Sequence, residues 1–282
     1  MKVRFYGVRG SVPTPGAKTV RYGGNTVCVD LRLADGTVLV LDGGTGLREL
    51  GNDLLRDKHQ GPINLLLTHL HWDHILGIPF FAPVYRKETH INIYPLSTDT
   101  QQEAVRRRAL FDGIHFPVRA SDIPSRLEFV EAPGLEWRIG SAKIRRIDLN
   151  HPGGAQGYRI DDSDGKSLCY LTDNELSPPP GVVVTTPDAL ARFSDGAHLL
   201  IHDAQYFAED MPSKRGWGHS TVDEVLELGH KASAEHLVLF HHDPERDDDA
   251  LDALGHRANE WLRGKGSSTR ASIAREGWSL DL

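Results

Sequence analysis

Cysteine is scarce in this sequence: only Cys28 and Cys169 occur in 282 residues. Both lie inside apolar, strand-like runs, so two buried thiols are expected and a disulfide-built scaffold is excluded. No apolar run approaches the ~20 residues that a membrane-crossing helix needs, so no membrane partner is expected. Met1 to Tyr6 reads as a first strand and not as a secretion signal; a cytoplasmic location is the default expectation. Repeats and low-complexity tracts are absent. The one breaker run, Pro178 to Gly181, falls between two expected strands and reads as a loop. A single domain over 1–282 is therefore expected, long enough to bury a sizeable core. Cationic excess is missing too. Thirty-nine acidic residues outnumber 32 Lys and Arg, for a formal net charge of −7. That disfavours long nucleic acid as a partner but leaves room for one small anionic ligand.

What the chain has is clustered histidine. Between Thr68 and His74 stand His69, His71, Asp73 and His74. The apolar run Ile63 to Leu67 before them reads as a buried strand. Strand alternation sends His69 and His71 to one side. Asp73 and His74 follow where the chain turns, toward a second point. Three imidazoles and a carboxylate suit a borderline divalent ion such as zinc, and this spacing suggests two adjacent ions. The competing reading, a chance cluster of surface or core histidines, fits four ligand-type residues in six poorly.

The motif His69-x-His71-x-Asp73-His74 resembles the signature of the metallo-β-lactamase fold superfamily, and the resemblance continues in order. His151 follows the strand Ala142–Leu149, Asp173 ends the run Leu168 to Thr172, and His241 ends the run Leu237 to Phe240. The resemblance implies one metal on His69, His71 and His151. It implies a second on Asp73, His74 and His241, with Asp173 bridging both. The ions expected are two Zn2+, with Mn2+ as the alternative.

Strands are expected at 2–7, 26–32, 37–41 and 63–67, then at 126–131, 135–139, 142–149, 157–160 and 167–171. Later ones are expected at 197–202 and 235–240, the last taken as the final core strand. Helices are expected at 46–57, 101–110, 221–231 and 247–263. Two strand-rich halves with helices fit an α/β fold of two face-to-face sheets. The resemblance makes this a four-layer αββα sandwich.

Gly216 to Thr221 resembles the His-Ser-Thr loop of ribonuclease Z and related phosphodiesterases. Ser220 or Thr221 reads as the N-cap of the next helix. His219 precedes His241 by 22 positions, as in that group. The resemblance implies that His219 faces the scissile phosphate; the competing role is loop capping. His202-Asp203-Ala204-Gln205 resembles the group's His-Glu-Ala-Thr segment, with Asp203 in place of Glu, which leaves that residue's role open.

Gly7 to Pro13 and Arg21 to Thr26 are glycine-rich loops. Glycines allow close backbone approach and present N–H groups to an anion. Arg9, Ser11 and Asn25 are accordingly candidates for substrate binding, against the plainer reading of tight turns. Asp42 is expected to orient a metal-binding histidine. Residues 97–126 are a candidate cap or dimer element, where Arg106 to Arg108, His115 and Phe116 could meet an anionic base-bearing ligand. A homodimer is left open, and a solvated surface helix is the competing reading. His242 carries no assigned role.

Together these features lead to a binuclear phosphodiesterase in which Asp73 orients the attacking water and His219 serves the leaving oxygen. Small cyclic phosphodiesters are the expected substrates. Ribonuclease Z carries a long tRNA-gripping arm between its equivalents of His151 and Asp173; here only 21 residues separate them. Precursor-tRNA cleavage, and hydrolysis of lactones, thioesters or β-lactams, are the alternatives.

Overall fold

A computed structural model describes residues 1–94, 110–130 and 134–282. Residues 101–109 of the expected helix, with Arg106, Arg107 and Arg108, lie outside them, as does Glu131. The described strands form two seven-stranded sheets. The first holds β1 (Lys2–Gly7), β2 (Cys28–Arg32), β3 (Val38–Leu41), β4 (Ile63–Leu66), β5 (His90–Tyr94) and β6 (Arg126–Phe129) in that order. A late strand, β14 (Ser279–Asp281), returns to pair antiparallel with β1. The second sheet runs from β7 (Glu136–Ile139) through β8 (Ala142–Leu149), β9 (Ala155–Asp161), β10 (Ser167–Leu171), β11 (Leu199–Asp203) and β12 (His236–Phe240) to β13 (Arg270–Ile273).

The two sheets face each other across a core that includes Phe5, Leu31, Leu39, Tyr158, Tyr170 and Phe240. Central strands such as β3, β10 and β12 are buried along their whole length, because a second apolar layer covers each outer face. Helix α1 (Leu47–Arg56) buries Leu47, Leu50 and Leu54, an i, i+3, i+7 stripe. These pack with Val38, Val40 and Leu65 of the first sheet. On the second sheet, α5 (Val222–Lys231) buries Val225 and Leu228 against β11 and β12, and α6 (Asp248–Gly264) buries Leu251 and Leu254 against β13 and α5. Each such side chain contributes roughly 1.5–3 kcal/mol on burial. The N-cap of α5 is Thr221, in a reciprocal capping box with Glu224. Shorter helices are α2 (Trp72–Ile75), α3 (Pro187–Phe193) and α4 (Met211–Lys214). The result is helices, sheet, sheet, helices, as expected.

The expectation that 235–240 is the final core strand needs correction. Both β13 and β14 follow it, and β13 extends its parallel ladder. Both cysteines are buried free thiols. Among the described residues, no helix is long and apolar enough to cross a membrane.

The strand directions bring several loops together. Strands β3 and β4 are parallel, as are β10, β11 and β12. Strand β8 runs antiparallel to β9, and β9 to β10, so β8 and β10 point the same way. In each sheet these C-terminal ends open onto one rim.

Candidate metal centre

Each candidate ligand follows a strand on that rim. His69 to His74 follow β4, His151 follows β8, Asp173 follows β10 and His241 follows β12. Asp42, Asp173 and His241 have positive φ of 59°, 55° and 59°, and Ser11 has 62°. Non-glycine residues rarely adopt this left-handed conformation. Here each turns the chain sharply just past a strand or in the loop beside the cluster, and such strain persists only where packing over-determines it.

Two groups of side chains result. In the first, His69, His71 and His151 present ligand atoms within 4.8 Å of one another. His71 Nδ1 and His151 Nε2 are 3.1 Å apart. The second comprises Asp73, His74, Asp173 and His241. Asp173 spans both. Its Oδ1 lies 3.1 Å from His74 Nε2 and 3.1 Å from His241 Nε2, while its Oδ2 lies 3.7 Å from His69 Nε2 and from His151 Nε2. One carboxylate thus turns one oxygen to each group.

The surrounding residues fix which imidazole nitrogen faces inward. The Nδ1–H of His74 donates to Asp42 Oδ2 at 2.9 Å, that of His151 to Gly218 O at 3.0 Å, and that of His241 to Gln205 Oε1 at 2.9 Å. In each case Nε2 keeps its lone pair for the centre. Asp42 is itself held by Thr68 N–H and Oγ–H and by the Tyr170 hydroxyl. The Ser11 N–H donates to Asp73 Oδ2 at 2.7 Å. Two glycines permit this crowding. A Cβ on Gly10 would lie 2.3 Å from the His241 ring, and one on Gly218 would lie 2.1 Å from His151 Nδ1.

The donor set fits divalent ions. His69 Nε2 and His74 Nε2 are buried with no hydrogen-bond partner, an arrangement that costs free energy unless something accepts their lone pairs. The carboxylates also demand positive charge. Burial opposes ionisation of Asp73 and Asp173, and positive charge on the neighbouring His74 and His241 rings would hold both well below the usual carboxylate range; ions bound by the neutral rings would supply that charge instead. Burial, with His74 nearby, pushes His69 well down, keeping it neutral as a ligand must be. Imidazole nitrogen and carboxylate oxygen suit Zn2+, and Mn2+ less closely.

His219 stands beside both groups, its ring 5.3 Å from that of His151 and 5.0 Å from that of His241. Asp203 Oδ2 lies 2.5 Å from its Nδ1. Burial would lower its pKa, but Asp203 outweighs burial and raises it to about 9. Of the two residues expected to cap the next helix, Thr221 is the N-cap.

The expected substrate contacts fare differently. Arg9 is fully buried, and its guanidinium donates to the carbonyls of Gly23, Asp243 and Arg246. It knits three loops and is withdrawn from any ligand, which corrects its expected role. The Asn25 side chain donates to Glu276 and accepts from Thr45, so it too serves the loop. Ser11 stays at the centre through its N–H, while its hydroxyl accepts from Gln205. His115 is exposed and bonded to Asp112, and Phe116 packs edge-on against Phe80 and Phe111; neither interaction involves the cluster. His242 is buried, donates to Ala274 O, and is pushed by burial down to about 3. It supports the loop as a neutral ring.

Sequence reasoning gave no role to Gln205, which orients His241, and missed Glu175, whose carboxylate accepts from Gly216 N and Gly218 N. Their only sequence signal is position, each two residues beyond a residue already singled out.

Comparison with known proteins agrees with this geometry. Residues 37–242 match the Beta-lactamase superfamily domain. Ribonuclease Z of Haloarcula marismortui is 27% identical over 288 aligned positions, covering 86% of each chain. Yeast PDE1 superposes with a TM-score of 0.71 at 15% identity, over 100% of this chain and 99% of that one. A diphosphatase of the PhnP family superposes with a TM-score of 0.68 at 20% identity, over 100% and 97%.

Proposed function

The chain belongs to the β-lactamase superfamily, and from that premise we propose a binuclear metal-dependent phosphodiesterase acting on small cyclic phosphodiesters, cyclic mononucleotides foremost. In this reading His69, His71 and His151 hold one ion, and Asp73, His74 and His241 the other. Asp173 gives an oxygen to each. The chemistry that two divalent ions would supply there is an activated water near neutral pH and neutralisation of charge on the phosphoryl oxygens. The protein's own groups do the rest. Asp73, fixed by Ser11 N–H, orients the attacking water. His219, with Nδ1 engaged by Asp203, offers Nε2 to the leaving oxygen as a proton donor.

The observation that carries the choice of substrate is the chain between His151 and Asp173. It is spent on β9, the turn 162–166 and β10. Asp162 in that turn is buried and tied to Ala34 N and Ser141 Oγ. No arm for a tRNA projects there, and the turn carries carboxylates that an RNA backbone would avoid. Precursor-tRNA processing is the second reading, favoured by the ribonuclease Z relatives. The test is kinetic: metal-loaded protein with 2′,3′- and 3′,5′-cyclic mononucleotides beside a precursor tRNA. Turnover of a cyclic nucleotide with little tRNA cleavage is expected. Efficient tRNA cleavage with no cyclic nucleotide turnover would replace this proposal by the second reading.

A further inference from the structure

A cavity of ≈ 270 Å³ adjoins the centre, and none of the chemistry above uses it. His151 lines it and also reaches the cluster, with its Nε2 3.7 Å from Asp173 Oδ2. Gly216 lines it too, on the loop that carries His219. The cavity therefore opens beside the His69, His71 and His151 group, next to the loop that carries His219, and a group attached to a phosphoryl bound at the centre has this space to enter.

The chemistry of the wall is one-sided. Asn150 makes all four hydrogen bonds its side chain allows: its Nδ2 donates to Glu175 O and Thr185 O, and its Oδ1 accepts from Val184 N and Thr185 N. The Glu175 carboxylate is occupied by Gly216 N and Gly218 N. Among the described residues, no lysine or arginine lines the space. A second phosphate would find no cation there and would face a carboxylate. The remaining surface is apolar and stiff, from Pro152, Pro178, Pro179, Val182 and Val184. Proline rings are rigid, so the slot keeps its shape without a ligand and costs little ordering on binding. Val182 and Val184 are 56% and 64% exposed, as expected of an open pocket mouth.

We infer that this cavity is a subsite for the neutral ring system, a nucleobase, borne by the scissile phosphodiester, with Val182 and Val184 as the residues that pack on it. The inference rests on the phosphodiesterase reading. Because the polar groups Asn150 and Glu175 are already paired within the protein, the subsite senses the face of a base and not its hydrogen-bonding edge. It takes purines and pyrimidines with little preference between them.

Calorimetry on the zinc-loaded protein tests this with four nucleoside 5′-monophosphates and ribose 5-phosphate. The base should add about tenfold in affinity over ribose 5-phosphate, with the four bases within about threefold of one another. Val184→Asp and, separately, Val182→Asp should remove that increment while ribose 5-phosphate binds as before; both positions are exposed enough to leave folding intact. Equal binding of all five ligands, or an increment that survives both substitutions, would overturn the subsite and leave the phosphodiesterase reading standing. Failure of every phosphate ligand to bind, with no diester turned over, would overturn both. A discrimination among bases of a hundredfold or more would also overturn it, since the Asn150 amide and the Glu175 carboxylate are already bonded within the protein.

Discussion

Asp203 and His219 are joined by a 2.5 Å contact between Oδ2 and Nδ1, although they stand 16 positions apart in the chain. The aspartate is fully buried at the end of β11 and the histidine sits in the loop before α5. A short carboxylate–imidazole pair of this kind fixes the tautomer and orientation of the ring. His219→Ala should keep the metal content and lose about 10²–10⁴-fold in diester turnover, the range for a lost acid–base group. Asp203→Asn should lose activity in the same direction. Elemental analysis alongside kinetics checks both, and unchanged turnover at full metal content would return His219 to a structural role.

The two oxygens of Asp173 predict an asymmetry in metal content. Asp173→Ala should lower occupancy of both sites, because each loses a ligand. His151→Ala should empty mainly the site of His69 and His71. Metal-to-protein ratios after gel filtration in chelator-free buffer decide the matter. Equal losses in the two variants would count against a shared carboxylate.

Asp42 gathers donors from Thr68, Tyr170 and His74 in a fully buried position. Asp42→Ala strands them, and leaving buried polar groups unpaired costs about 3–5 kcal/mol here. Freed from its anchor, His74 should also bind metal more weakly, by about 10–100-fold. Urea denaturation and competition with a chelator dye measure the two effects separately.

Much of the candidate site was legible because its residues are local to strand ends. Ala142–Leu149 and Ser167–Leu171 have the bounds expected of them, since apolar runs stop where polar residues begin. The strand His90–Tyr94 was missed: Asn92 interrupts its apolar pattern, and its amide is spent on the neighbouring Asn64. The short edge strand at 279–281 shows no buried residue and so no apolar signature. Arg9 misled for a deeper reason. A cation in a glycine-rich loop suggests an anion, but its partners are three carbonyls distant in sequence, and carbonyls leave no trace in residue identity. The same holds for Asp203, whose role becomes visible only once β11 and the loop before α5 are brought together.

A pH prediction comes from a histidine remote from the centre. His236 is buried on β12, with Nε2 bonded to Ser272 Oγ. Burial, assisted by Arg270, pushes it down to about 4. The unfolded chain binds that proton near pH 6.5. Its contribution is therefore complete above about 6.5 and disappears as pH falls toward about 4, a loss on the order of 3 kcal/mol. His236→Phe should flatten the acid limb of the stability curve relative to the parent. Urea midpoints between pH 4 and 8 report it, and parallel curves would refute it.

The seven candidate ligands are divided between the sheets: His69, His71, Asp73 and His74 follow a strand of the first, while His151, Asp173 and His241 follow strands of the second. Ions held among them would rivet one half of the sandwich to the other. Parting the halves would then require ejecting the ions first, so their release would govern how fast the protein unfolds. Stripped and loaded protein would differ most in lifetime under denaturant, with the apo form opening first along this rim.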